Sequence, residues 1–133
     1  MCYGPPWRRM SNTSIETESL TTLHWIGIAL AAITGLVHLG IGIVFTDVLL
    51  GLAGVGFFGA IALLLLNVRR DLLYLVGVPY TGIQVVLYFV FNWPDVFSSV
   101  GIGDKVVQVA LVAVLVVLYR RETAESTVAA GSL

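Results

Sequence analysis

Charge is scarce in this sequence. Of 133 residues only 11% are Asp, Glu, Lys or Arg, and lysine occurs once, at Lys105. A soluble domain carries roughly a quarter of its residues as charges. So small a globule has too little interior to bury the 58% of residues that are hydrophobic. With a mean hydropathy of +0.96, the chain needs lipid as its solvent. Cysteine is nearly absent too. Cys2 stands alone, which excludes an intrachain disulfide, a four-cysteine metal site and the vicinal-cysteine chemistry of small thiol-oxidising membrane enzymes. No basic cluster or nucleic-acid motif is present, so nucleic acid is set aside as a partner. Nucleophile motifs, phosphate-binding loops, His-Glu-x-x-His and paired carboxylates are also missing. The sequence therefore predicts no catalytic residues, no metal ligands and no cofactor, and the protein is not expected to be an enzyme.

What the chain does contain is apolar runs punctuated by arginine. All six arginines occur as adjacent pairs, Arg8-Arg9, Arg69-Arg70 and Arg120-Arg121. Four spans are expected, at about residues 23–45, 48–67, 72–93 and 104–119. The first, of about 23 residues, covers about 34 Å at 1.5 Å per residue, enough for a hydrocarbon core of roughly 30 Å. Thr46-Asp47 is a short turn, so the second span returns antiparallel to the first. The third ends at Trp93-Pro94, an interfacial aromatic followed by a helix breaker. The loop to the fourth contains Gly101-x-Gly103. That last span is short, with Val106–Tyr119 covering about 21 Å, and crosses only if Lys105 and Arg120 reach toward the headgroups. No Asp, Glu, Lys or Arg is expected mid-membrane, which argues against the small four-helix exporters that carry a glutamate in their first span.

The fold class is thus all-α, a polytopic antiparallel bundle of four transmembrane helices. With four spans the termini share a side with the arginine pairs, and Lys105 faces the other. Positive charge marks the cytoplasmic side, so both termini are expected there and the protein is placed in the cytoplasmic membrane as a multi-pass protein. Residues 1–21 read as a polar flexible tail, with Met10 opening an alternative start that would make residues 1–9 an upstream extension. It is not a cleavable signal peptide, because the apolar run that follows is too long. Residues 22–121 form the membrane domain and 122–133 a disordered tail. Few lysines, many Ala, Gly and Val, and acidic flanks suit a GC-rich, salt-loving source.

Candidate chemistry lies inside the spans. On a helix of 3.6 residues per turn, His24, Gly27, Ala31, Gly35, His38 and Gly42 share one stripe. Gly27, Ala31, Gly35 and Gly42 are the small residues that let helices pack closely in lipid. His24 lies near the boundary, whereas His38 lies deeper, where an ionisable group is a functional candidate. Its packing role would be a hydrogen bond to Gln84 or to a backbone carbonyl. The two histidines lie about 40° apart around the helix and about 21 Å apart along it. In the third span Pro79 should kink the helix, and Gln84 and Gln108 are the amides that could bond between helices.

Gly35-Leu36-Val37-His38-Leu39-Gly40, Phe57-Phe58-Gly59-Ala60 and Val78-Pro79-Tyr80-Thr81-Gly82-Ile83-Gln84 together resemble a haloarchaeal family of small four-helix membrane proteins of unknown function. The resemblance implies the fold and the source, and supplies no site residues. Three readings follow. The first is a structural or accessory membrane protein without catalytic activity, in contact with the lipid bilayer and packing with itself as a homo-oligomer or with a larger membrane partner. The alternative is a small-solute carrier or channel with a site near His38, Pro79 and Gln84. The third is a haem-binding homodimer through His24 and His38, whose spacing resembles the two-histidine helix of respiratory cytochrome b. A polar cavity joining His38 to Gln84 favours the second reading, and a bundle closed by Gly and Ala contacts favours the first.

Overall fold

The computed structural model describes residues 20–131, with side chains as far as Glu125. The first arginine pair, the alternative start and almost all of the N-terminal tail lie outside the described residues. Four helices follow one another: α1 (Thr22–Val44), α2 (Val48–Leu65), α3 (Arg70–Asn92) and α4 (Ser99–Gly131). All four are long and apolar enough to cross a membrane, and no strand occurs among the described residues. The bundle's exterior is apolar, with Leu49, Ile43 and Phe91 each more than three-quarters exposed, as contact with lipid requires.

Local chemistry ends the first two helices in the same way. At the end of α1, Asp47 N–H donates to the Gly42 carbonyl (2.8 Å) while Thr46 takes a left-handed φ of 55°. At the end of α2, Val68 N–H donates to Leu63 O (3.0 Å) with Asn67 at φ 55°. Both are Schellman closures, which satisfy carbonyls that the helix leaves orphaned. Asp47 then starts the next helix, its Oδ1 accepting from Leu50 N–H at 3.1 Å.

The packing is that of two hairpins. α1 and α2 pack along their length, α3 and α4 do likewise, and α1 and α4 join the two pairs. α2 and α3 touch least. The first hairpin is closed by glycine. A Cβ on Gly42 would lie 2.6 Å from the Gly51 nitrogen, and one on Gly54 would lie 2.8 Å from the Gly35 carbonyl. Only a hydrogen at those positions permits backbones this close. On α1 the stripe Gly27, Ala31, Gly35 and Gly42 is buried throughout, with Gly27 against Val114 of α4 and Gly35 against Phe57 and Phe58 of α2.

The fourth helix departs most from the expected boundaries. It begins at Ser99 and runs to Gly131, where the sequence suggested Asp104–Tyr119 and a disordered tail from 122. Ser98 explains the early start. Its Oγ accepts from Gly101 N–H (3.1 Å) and its carbonyl accepts from Ile102 N–H (2.9 Å), so the helix opens before the two glycines. At the other end no proline or glycine interrupts residues 104–130, and Thr123 Oγ1 donates to Tyr119 O at 3.0 Å. The helix therefore carries on past Arg120-Arg121.

Candidate functional site

The longer α4 moves two charges into the bundle. Asp104 and Lys105 lie about 7.5 and 9 Å inside its first residue at 1.5 Å per residue, and they are 5% and 6% exposed. Lys105 was expected to reach out toward the headgroups; it is instead buried among side chains. Lys105 Nζ lies 2.9 Å from Asp104 Oδ2. It also donates to Gln108 Oε1 and sits 5.2 Å from the centre of the Tyr88 ring. Thr34 of α1 donates its hydroxyl to the other carboxylate oxygen, Asp104 Oδ1, at 2.7 Å. Gln108 Nε2 donates onward to Gln84 Oε1 of α3 at 3.0 Å. One polar chain therefore crosses the bundle from α1 through α4 to α3.

His38 borders this chain without joining Gln84. Its Nδ1 is 2.8 Å from the Thr34 carbonyl, and a carbonyl only accepts, so the ring proton is on Nδ1. The same nitrogen lies 3.8 Å from Asp104 Oδ2. The hydrogen bonds of the ring run through Nδ1, and Nε2 makes none among the described residues. His24, at the other end of α1, has the opposite arrangement. Thr21 N–H donates to its Nδ1 at 3.0 Å and the Thr21 hydroxyl lies 2.8 Å away. Nδ1 is therefore the acceptor and the proton is on Nε2. This histidine caps the start of its own helix.

His38, Gln84, Asp104 and Lys105 line a cavity of about 620 Å³ that also reaches Asp47, Tyr88, Asn92 and Ser98 near the ends of the helices. It lies at the end of the bundle opposite Arg69 and Arg70, at the start of α3, and Arg120 and Arg121 of α4. Tyr88 donates to Val96 O at 2.6 Å, which ties the 93–98 loop over one wall. Below His38 the Phe57 ring lies 5.8 Å away and is itself met edge-on by Tyr80 at 5.4 Å. With Ala31 and Leu111, Phe57 makes a buried apolar layer. Beyond that layer a second cavity of about 60 Å³, lined by His24, Tyr74 and mostly aliphatic side chains, lies toward the arginine end. The layer of Ala31, Phe57 and Leu111 thus separates the large cavity from the arginine end.

Pro79 takes no part. It lies within α3, which continues through it, on an exposed side, and it lines neither cavity. His24 and His38 are 8% and 4% exposed and turn into their own bundle, so neither offers a face for a haem shared with a second copy. Among the described residues no group of three or more His, Cys, Asp and Glu is placed to hold a metal ion. Asp104, Lys105 and Thr34 are the site residues that the sequence reading missed. A span of only about 21 Å, too short for the bilayer, with Ser98-Ser99 upstream as a start signal, was the clue to a helix that begins earlier.

No family model matches the chain, and no curated protein or solved structure matches it either.

Proposed function

We propose that this four-helix membrane protein binds a small solute in a one-sided vestibule, as a carrier does, rather than serving only as a packing subunit. The observation that carries this reading is the cavity of about 620 Å³ with His38, Gln84, Asp104 and Lys105 at its floor. Its volume is that of a small-molecule site, typically about 300–1,000 Å³. A buried ion pair adds little to stability, because desolvation offsets its attraction. A bundle that needed only to pack would gain by replacing it with leucine, so its presence beside an open cavity points to a ligand. The apolar layer of Ala31, Phe57 and Leu111 argues against a continuous channel in this conformation. Both termini and the arginine end belong on the cytoplasmic side, so the vestibule opens to the exterior. The glycine-closed α1–α2 hairpin supports the accessory reading as well, but it accounts for one half of the bundle and not for the other.

Single cysteines introduced on a Cys2→Ser background test the assignment. In sealed vesicles a membrane-impermeant thiol reagent should modify Ala53→Cys, in the vestibule wall, and should spare Ala60→Cys, beyond the apolar layer. Protection of both returns the protein to the accessory reading. Equal reaction at both establishes a through-pore.

A further inference from the structure

The vestibule's walls and floor differ enough to specify the class of solute that enters. We infer that its occupant is a lipid-soluble amphiphile with an uncharged hydroxyl head, reaching the site from the bilayer through the cleft between α2 and α3. The inference rests on the vestibule assignment and deepens it.

The portal follows from where α2 and α3 part. They are close at the arginine end, where a short connection joins them. Tyr80 of α3 donates to the Ala53 carbonyl of α2 at 2.9 Å and lies over Gly56. Of the neighbouring pairs, these two helices touch least. Leu49 on α2 and Leu87 and Phe91 on α3 all line the cavity, yet they are 80%, 40% and 79% exposed on the outside of the bundle. Side chains that face both a cavity and lipid make a lateral opening, and an apolar one suits a tail rather than a hydrated solute.

The head group follows from the floor. Lys105 and Asp104 cancel one another in charge, so an ionic head would add an unpaired charge in a region of low dielectric. Two of the three ammonium donors are committed, to Asp104 and Gln108, which leaves one. His38 lies beside them, its Nδ1 3.8 Å from the carboxylate oxygen that Lys105 holds. One free donor in a floor whose two charges cancel matches an uncharged hydroxyl, whose oxygen accepts from Lys105.

The test uses the full chain in phosphatidylcholine nanodiscs with a sixteen-carbon alcohol that carries a diazirine near the hydroxyl. Illumination should give saturable adducts within residues 84–91 and 100–108, displaced by unlabelled hexadecanol and less well by palmitate. Asp104→Leu combined with Lys105→Leu, which removes both charges together, should weaken labelling by about ten-fold, the worth of one hydrogen bond to a charged donor. Leu87→Trp, which fills the portal and leaves the floor intact, should abolish it while the thermal unfolding midpoint stays in place. If Leu87→Trp unfolds the protein, Phe91→Trp replaces it. Non-saturable labelling confined to lipid-facing Val55 and Val86 overturns the inference, as does palmitate competing better than hexadecanol. A reactive Ala53→Cys without saturable adducts overturns the amphiphile and leaves the vestibule standing.

Discussion

The two histidines of α1 stand on one stripe of one helix and do opposite work. His24 receives hydrogen bonds at Nδ1 from the residue that precedes the helix. Its imidazole is spent on closing a helix end, and the cavity beside it holds about 60 Å³. His38 gives its Nδ1 proton back to its own helix and borders a cavity of about 620 Å³. What separates the two ends is the charge that α4 brings. At the arginine end Arg70 reaches back to the Leu64 carbonyl through two nitrogens, at 3.2 and 3.0 Å, so its guanidinium also serves to finish a helix. At the opposite end the charges meet each other and an open space. Position on a helix face therefore does not decide a histidine's role; the neighbours that consume its nitrogens do.

The largest effect that would break this contrast is loss of the carboxylate. Asp104→Ala leaves Lys105 buried without its counter-charge and should cost about 3–5 kcal/mol, read as a lowered denaturation midpoint in detergent. Asp104→Leu combined with Lys105→Leu should restore most of that stability while emptying the floor of charge. Recovery in the double variant separates the ion pair's role in the site from any role in folding. Failure to recover would mean that the fold itself depends on it.

A middle-sized effect distinguishes the histidines directly. His24→Ala removes a helix-start bond and should cost about 1 kcal/mol, with faster amide exchange in the first turn of α1. His38→Ala should leave that turn's exchange unchanged, because the His38 ring bonds the Thr34 carbonyl, well beyond the first turn. Equal exchange in the two variants would erase the distinction.

The smallest effect concerns two tyrosines of α3. Tyr80→Phe gives up the bond to Ala53 O that marks where the cleft opens, worth about 1 kcal/mol. The Tyr74 hydroxyl is buried without a hydrogen-bond partner, so Tyr74→Phe should not lower the unfolding midpoint. A clear loss there would show that the arginine end holds a polar partner for this hydroxyl, and would make the two ends more alike.

The bundle was legible in the sequence because apolar length is a property of single segments. The stripe on α1 was legible for the same reason, since helical periodicity alone brings Gly27, Ala31, Gly35, His38 and Gly42 to one side. Asp104 and Lys105 were misplaced because Gly101-x-Gly103 read as loop, while Ser98 caps a helix that runs through it. Their partners Thr34 and Gln84 belong to other helices, and no local pattern announces such pairings. Pro79 drew attention for its effect on backbone hydrogen bonding, yet it faces away from the site. The cavity itself depends on how far α2 and α3 diverge, a property of two helices together that neither sequence segment contains.

The ion pair joins neighbours in the chain, Asp104 and Lys105. A helix that brings its own counter-charge can enter the bilayer before the rest of the bundle gathers around it. Lone ionisable groups oblige a segment to wait for a partner or to stay at the surface. α4, emerging last, carries both signs together and needs from α1 only the Thr34 hydroxyl to complete the set. The order of biogenesis is eased by the same adjacency that keeps the finished site neutral, so a site of this polarity can be built by helices that arrive one at a time.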